Sequence, residues 1–109
     1  MSQMSQPDGV NPFELNETIH QRSRLGIMTV LREAGEADFA FLKENLDLTD
    51  GNLGRHLEVL AAAGYISTRR GYDGRRSRTW VRLTPQGSTA LQIEIDALRA
   101  IINRAGEIV

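Results

Sequence analysis

A very short connection between two amphipathic segments limits the folds that this chain can adopt. Asp38 can cap a helix whose apolar face includes Leu42 and Leu46, and Thr49 can cap the next helix. Only residues 47–49 separate the two segments, which is the length of a helix-turn-helix connection. The sequence therefore predicts two helices that pack across each other in the middle of the chain.

Two further helices are expected on the N-terminal side of this pair. Asn11 and Pro12 are typical of an N-cap followed by proline at the first helical position, so a helix is expected over about 12–20. Ser23 can cap a second helix. Gly35 stands where a C′ glycine would end that helix.

Gly64 is expected to end the fourth helix. Two segments that favour β-strands follow it. The runs 65–70 and 78–83 flank a glycine-containing stretch, 71–77, and predict a β-hairpin. We expect the connecting loop to project from the fold, because this stretch is too long for a tight two-residue turn. A cap-plus-proline pair, Thr84-Pro85, then opens a long final helix.

This order of elements predicts an α+β fold that is mainly α. The chain has 109 residues, which is the size of one domain. We expect that domain to occupy residues 12–109. Residues 1–11 are polar and contain proline and glycine, and we expect them to form a disordered tail.

The distribution of charge is uneven along the chain. The net charge is −1, with 13 basic and 14 acidic side chains. Residues 69–82 contain six arginines and one acid, so this segment carries +5 and the remainder of the chain −6. Such an asymmetry indicates a local anion-binding surface on an otherwise acidic protein.

The composition argues against several classes of function. There is no cysteine, which excludes disulfides, thiolate catalysis and cysteine-ligated zinc. His20 and His56 are the two histidines, and the sequence contains no Ser-His-Asp pattern, glycine-rich phosphate loop or HExxH motif. We therefore expect no enzyme activity, metal or cofactor. No apolar run approaches about 18 residues, so no membrane partner is expected.

Three sequence segments carry a family resemblance. These are FLKENLDLTDGNLGRHLEVLAAAGYI, the arginine-rich hairpin after it, and the later RLTPQG. In this order they resemble the winged helix-turn-helix transcriptional regulators, most closely the small stand-alone type near the MarR-like and ArsR-like families. The resemblance covers about residues 13–105. The cysteines that bind metal in many ArsR-like sensors are missing, so a thiolate metal sensor is not expected.

The resemblance implies a winged helix-turn-helix fold and a function. The fold has a three-helix core with a recognition helix, a β-hairpin wing and a long C-terminal helix. Members of the family act as homodimers that bind double-stranded DNA and regulate transcription, so we expect a cytoplasmic regulator of this kind. Phosphate contacts would supply most of the affinity, and groove contacts the specificity.

In this family the segment at about 49–63 corresponds to the recognition helix, which enters the major groove. Helical spacing turns its leucines toward the core and leaves a small polar surface at its N-terminal end. An arginine can bond guanine with two donors, and an asparagine can bond adenine. The residues expected to contact DNA are Thr49, Asp50, Gly51, Asn52, Gly54, Arg55 and His56.

Each of these assignments has a simpler alternative. Arg55 can be a solvated surface residue, and Asn52 can serve only the helix cap. By helical spacing Asp50 lies nearer the core side, and it would repel phosphate unless it reads a cytosine amine. His56 is expected to be half-buried, where a packed and hydrogen-bonded ring is favoured over a phosphate contact. Two glycines in a helix cost roughly 1 kcal/mol each relative to alanine, and close approach to DNA is one reason for that cost.

The hairpin corresponds to the wing, at about 69–82, and is expected to lie on the DNA backbone or in the minor groove. Arginine pairs with phosphate and also enters narrow minor grooves. Arg69 and Arg70 point to opposite faces of a strand, so one of them can pair with acids of the body instead. The alternative is a solvated hairpin whose charges only keep the edge soluble. The residues expected to contact DNA are Arg69, Arg70, Arg75, Arg76 and Arg78.

An apolar stripe runs along the final helix, at about 85–108. Its members repeat at heptad spacing and are Leu91, Ile95, Leu98, Ile102 and Ala105. A second copy of the chain would cover this stripe, and a two-fold dimer would present two recognition helices to a pseudo-palindromic site. Alternatively, the helix only completes the core of a single chain.

A second function is compatible with the same fold. Winged helices also serve as docking domains, and the arginine-rich wing could bind an acidic protein partner. DNA reading should need Arg55 and Asn52 together with the wing, whereas docking should not need a duplex. An unidentified small-molecule effector could bind between the first and last helices, but no residue pattern identifies one.

Overall fold

The computed structural model describes residues 14–107 and confirms the predicted fold class. Five helices surround one antiparallel sheet whose strand order is β1-β3-β2. In chain order the elements are α1 (Glu17–His20), α2 (Arg22–Ala34), β1 (Ala37–Asp38), α3 (Phe39–Leu46), α4 (Asp50–Ala62), β2 (Ile66–Asp73), β3 (Arg76–Leu83) and α5 (Pro85–Glu107).

The first helix begins later than the sequence indicated, and the second begins earlier. The proposed Asn11-Pro12 cap lies outside the described residues, and residues 14–16 are not helical. Helix α1 begins at Glu17, because the Asn16 side chain accepts the free N–H groups of its first turn. Helix α2 is capped by Gln21 and not by Ser23. The two helices are separated by Gln21 alone, whose extended backbone ends one helix and opens the next.

The helix-turn-helix connection follows the prediction closely. The Asp38 carboxylate accepts the Phe41 N–H at 2.8 Å and caps α3. Asp47 ends α3 in the left-handed region at φ 53°, a conformation that aspartate tolerates better than most residues. Thr49 then caps α4 by accepting the Asn52 N–H at 3.1 Å. These caps place the connection at Asp47–Thr49, as expected.

The hairpin is longer, and its turn tighter, than predicted. Asp73 pairs with Arg76 across the strands, so Gly74 and Arg75 alone form the turn. Gly74 has φ 65°, and it occupies the first central position, where type II′ hairpin turns place glycine. Gly71 misled the prediction because it lies within β2, where it pairs with Arg78 and does not form a turn. A Cβ there would lie 3.3 Å from the Arg69 guanidinium and 3.5 Å from the Trp80 indole nitrogen, so glycine leaves room for Arg69 beside Trp80.

A third strand, β1, escaped prediction because it has only two residues. Ala37 pairs with Val81, and Asp38 pairs with Trp80. The sheet therefore has three strands near its base, while the hairpin beyond Trp80 is a two-stranded ribbon. This difference divides the wing into a supported base and an unsupported outer part.

The hydrophobic core lies between α2, the helix-turn-helix pair, the base of the sheet and α5. Its largest fully buried apolar members are Ile19, Ile27, Met28, Leu31, Leu42, Leu53, Leu60, Val81 and Leu91. Removing a buried leucine of this kind from a core costs about 2–5 kcal/mol. The core therefore fixes α4 on its leucine side and leaves its opposite side to solvent.

The LTPQG segment has a clear packing role. The Thr84 hydroxyl donates to the Gly64 carbonyl at 2.6 Å and accepts the Gly87 N–H at 2.9 Å. A Cβ on Gly87 would lie 1.9 Å from the Tyr65 carbonyl oxygen. Glycine is therefore required at 87, because it allows the start of α5 to rest directly on the backbone that joins α4 to β2.

The predicted stripe on α5 divides between the core and the surface. Leu91 is wholly buried in this chain's own core, so its assignment to an interface between chains is wrong. Ile95 and Leu98 are half-buried, while Ile102 is 66% exposed and Ala105 is exposed. The apolar surface that remains open is therefore on the C-terminal part of α5.

Candidate nucleic-acid interface

The N-terminal end of α4 presents the small polar surface that helical spacing predicted. Gly51, Asn52 and Arg55 are exposed, and Gly54 is half-buried. A Cβ at Gly51 or Gly54 would meet nothing within 4 Å. Both glycines are helical, where glycine costs roughly 1 kcal/mol relative to alanine. The packing of residues 14–107 therefore does not require either glycine.

Asp50 does not lie toward the core as helical spacing suggested. Its side chain is 74% exposed, and its carboxylate lies 2.9 Å from the Lys43 ammonium. The first residue of a helix sits where the chain is still turning in from the cap, so its direction departs from the 100° rule. The ion pair joins α3 to α4 and offsets a negative charge that would otherwise face a phosphate.

His56 is half-buried and packed, as the favoured alternative predicted. The Arg24 Nη1 atom lies 3.3 Å from the His56 Nδ1 atom. Burial lowers the pKa of His56 below its ordinary value, and the positive charges of Arg24 and Arg55 lower it further. These effects favour the neutral ring, whose Nδ1 can accept the Arg24 N–H. Sequence reasoning missed Arg24, which lies 32 residues away from His56.

The wing has two faces because strand residues alternate. Cross-strand partners share a face, so the register groups Arg69, Trp80 and Arg78 on one side. Arg70 and Thr79 lie on the opposite side, which continues from the buried Val81. The prediction that Arg69 and Arg70 point to opposite faces is confirmed.

Arg69 is the arginine that pairs with the acidic body. Its guanidinium donates to both oxygens of Glu36, at 3.0 and 3.2 Å. It also lies over the Trp80 ring, 5.3 Å from the centroid, within the range of a cation–π contact. Arg69 is therefore paired within the protein although 58% of its side chain is exposed, and its contact with DNA stays a prediction.

Arg78 is also engaged within the protein. Its guanidinium donates to the Asp38 carboxylate, and its Nη2 atom lies 3.1 Å from an oxygen of Asp73. Only 29% of the side chain is exposed. A phosphate would have to compete with two carboxylates for Arg78, so its contact with DNA stays a prediction that these pairs disfavour.

The arginines at the tip of the wing remain open to solvent. Arg75 and Arg76 are exposed, and no carboxylate of residues 14–107 pairs with either. Arg70 is exposed and donates only to the Ser77 hydroxyl, at 3.2 Å. Arg82 is exposed at the base of the wing. The uncompensated positive charge is therefore concentrated at the tip, around Arg70, Arg75 and Arg76.

Sites of other kinds are not evident in the described part of the chain. Within residues 14–107, no group of three or more His, Asp or Glu side chains is placed to hold a metal ion. No helix in the same range is both long enough and apolar enough to cross a membrane.

Comparison with known proteins identifies this arrangement. A family model described as a winged helix DNA-binding domain matches residues 23–102. The chain belongs to this winged-helix family. The matched range includes the helix-turn-helix pair, the wing and most of α5. The resemblance to winged helix-turn-helix regulators is therefore confirmed.

Three known proteins place this winged-helix chain among its relatives. An uncharacterised protein of Methanocaldococcus jannaschii is 35% identical over 69 residues, or 63% of this chain and 75% of that protein. A transcriptional regulator homologue from Pyrococcus horikoshii OT3 is similar with a TM-score of 0.77 and 32% identity, over 83% of this chain and 89% of that one. The Mycobacterium tuberculosis regulator MOSR, solved in complex with DNA, shares the fold with a TM-score of 0.67 and 20% identity, over 85% of this chain and 66% of that one.

Proposed function

We propose that this winged-helix protein is a sequence-specific, double-stranded DNA-binding regulator of transcription that acts as a homodimer in the cytoplasm. Helix α4 would enter the major groove, and the wing would hold the backbone or the minor groove. The observation that carries the proposal is the pairing of an exposed, glycine-containing helix end with arginines that have no carboxylate partner within residues 14–107. The relatives named above support it, since one is a regulator homologue and another was solved with DNA.

The exposed groups suit the two parts of a DNA site. The major groove admits one helix, and the N-terminal residues of that helix reach base edges. Arg55 can donate twice to guanine, and Asn52 can bond adenine. Thr49 and the N–H groups of the first turn suit a phosphate. At the wing, Arg75 and Arg76 supply the charge that phosphates attract.

Replacing the two arginines at the tip of the wing tests the contribution of the wing. In Arg75→Ala/Arg76→Ala we expect weaker binding to a labelled duplex, and a salt dependence shallower by about 0.9 in log–log slope for each phosphate that the variant no longer binds. Fluorescence anisotropy at several salt concentrations measures both quantities. The matched control is Arg32→Ala/Arg99→Ala, which removes the same charge from α2 and α5 and should leave the slope nearly unchanged.

Two outcomes would contradict this part of the proposal. Equal slopes for the two double variants would show that the tip does not contact phosphate. A wild-type protein that binds no duplex even at low salt would reject the DNA-binding function. In that case an acidic protein partner, which the wing charge also suits, would replace DNA as the ligand.

The variant Gly54→Ala distinguishes an effect on folding stability from an effect on DNA binding. The added methyl group meets nothing within 4 Å, so we expect the free energy of unfolding to rise by up to about 1 kcal/mol. DNA binding should weaken nonetheless, because the methyl group lies on the part of α4 that approaches the groove. Urea denaturation and anisotropy measure the two effects. Gly106→Ala, at another open helical position, should stabilise the fold without weakening DNA binding; equal behaviour of both variants would refute a groove role for Gly54.

The homodimer proposal rests on the apolar side chains that α5 leaves open. On the C-terminal part of this helix Ile102 is 66% exposed, while Leu98 and Ile101 near it are half-buried. Burial of a large apolar side chain contributes about 1.5–3 kcal/mol. A second α5 packed against this surface would cover it, and a two-fold axis would then bring two copies of α4 to neighbouring half-sites.

A charged residue in this surface should separate the two copies. We expect wild-type protein to show the mass of a dimer in light scattering, and Ile102→Asp to show that of a monomer with unchanged helix content, because a carboxylate cannot be buried there without a partner. Asn103→Asp adds the same carboxylate at the next exposed position and should leave the dimer intact. A monomeric wild type, or a dimeric Ile102→Asp, would reject α5 as the interface.

An effector site is the last part of the proposal. A groove of about 680 Å³ lies between the segment that precedes α1, the start of α5 and Tyr65. Glu94, which lines it, is 1% exposed, and its Oε2 atom has no hydrogen-bond partner among residues 14–107. His20 lies 3.5 Å from this oxygen. A carboxylate only accepts, so a ligand with an amine and an apolar body fits best.

Titration with benzylamine tests this site. We expect the amide resonances of the groove residues to shift with benzylamine in wild-type protein, and to shift less in Glu94→Gln. The isosteric anion phenylacetate should move them little, because the carboxylate repels it. Asp96→Asn, two residues further along α5, is the matched control. Resonances that stay in place at millimolar benzylamine would reject the site.

A further inference from the structure

One buried carboxylate connects the helix-turn-helix pair to the wing. Asp38 is 8% exposed, and it ends β1 where α3 begins. Its Oδ1 atom accepts the Phe41 N–H at 2.8 Å and caps α3. Its Oδ2 atom accepts a hydrogen bond from Arg78 on β3. The two oxygens of a single side chain therefore join the first turn of α3, which leads into α4, to β3 of the wing.

Arg78 extends this connection toward the tip of the wing. Its Nη2 atom lies 3.1 Å from Asp73, the last residue of β2 before the turn. Asp38, Arg78 and Asp73 thus form a continuous chain of charges from the cap of α3 to the end of the hairpin. Charge-assisted pairs of this kind are shorter and stronger than neutral hydrogen bonds.

Within residues 14–107, the outer hairpin has no third strand beside it. The last backbone pair between β1 and β3 is Asp38 with Trp80, and Trp80 pairs with Arg69 on its other side, so residues 70–79 form a two-stranded ribbon. A two-stranded hairpin is marginally stable by itself and twists readily. The contacts that hold this ribbon come from the same short segment, since Glu36 holds Arg69 and Asp38 holds Arg78.

We propose that Asp38 is a positioning residue for DNA binding, which sets the angle of the wing relative to α4 by holding Arg78. The proposal rests on the proposed function, because it concerns how the wing and α4 meet one duplex. Arg78 then acts through Asp38 and Asp73, and the tip arginines make the contacts. The proposal predicts that replacement of Asp38 weakens DNA binding, whereas the loss of a negative charge alone would strengthen it.

Because the two predicted effects on affinity are opposite, replacement of one oxygen of Asp38 by nitrogen, in Asp38→Asn, tests the proposal. Removal of a carboxylate near a surface that binds DNA should strengthen binding, because a negative charge is removed and Arg78 is released. If Asp38 positions the wing, its replacement should weaken binding despite the more favourable charge. Asparagine is as good an N-cap as aspartate, so Asp38→Asn keeps the cap of α3 while it weakens the hold on Arg78.

The first experiment measures duplex binding by Asp38→Asn in the full chain at several salt concentrations. We expect a dissociation constant roughly fivefold to tenfold higher than that of wild type, with a shallower salt slope because the tip arginines no longer reach phosphate. The control is Asp47→Asn, an exposed aspartate in the connection between α3 and α4. Its left-handed backbone suits asparagine, and its binding should be equal to or tighter than that of wild type.

A double-mutant cycle distinguishes positioning from direct contact by Arg78. Arg78→Gln should weaken binding by itself, and Asp38→Asn/Arg78→Gln should be no weaker than either single variant, since both break the same link. Additive effects would show that Arg78 contacts DNA by itself. Binding by Asp38→Asn that equals or exceeds that of wild type would overturn the proposal.

Hydrogen exchange supplies a readout that does not depend on DNA. In Asp38→Asn we expect the paired amides of residues 70–79 to exchange faster, while those of α2 keep their wild-type rates, because only the outer ribbon is loosened. Unchanged exchange in the ribbon would overturn the proposal even if the protein binds DNA. If the wild-type protein binds no duplex, the DNA-binding function is rejected. Faster exchange in Asp38→Asn would still show in that case that Asp38 holds the wing.

Discussion

The contact of Gly87 with the Tyr65 carbonyl is the constraint on which the rest of the arrangement depends. It brings the start of α5 onto the backbone that joins α4 to β2, and Thr84 secures the contact by bonding both Gly64 and Gly87. The hairpin begins and ends at this junction, since Ile66 pairs with Leu83. The end of α4, the base of the wing and the start of α5 are therefore fixed relative to one another, and only the outer wing needs further support.

Local signals explain why much of this fold could be predicted from the sequence. Asp38 and Thr49 bond N–H groups within three residues of themselves, so their capping role is visible in a short window. Gly71 and Asp73 look like turn residues in the same window. Their roles depend instead on Trp80 and Arg78 across the hairpin, which no local pattern encodes.

The candidate site also contains some residues whose roles follow from local sequence and others whose roles depend on distant contacts. The exposed end of α4 followed from helical spacing, because one face of that helix is fixed by its leucines. The roles of the wing arginines did not follow. Arg69 pairs with an acid 33 residues away, and Arg78 with one 40 residues away. A count of arginines measures the charge of the segment, but only the fold separates those that hold the wing from those that face solvent.

Asn16 links three parts of the structure that are far apart in the chain. Its side chain caps α1 and donates to the Tyr65 hydroxyl at 3.0 Å, while its backbone N–H donates to Glu94 at 2.8 Å. Asn16 therefore ties the middle of α5 to the residue that stands directly before β2. Loss of this one side chain would remove the cap of α1 and the hydrogen bond to Tyr65 together.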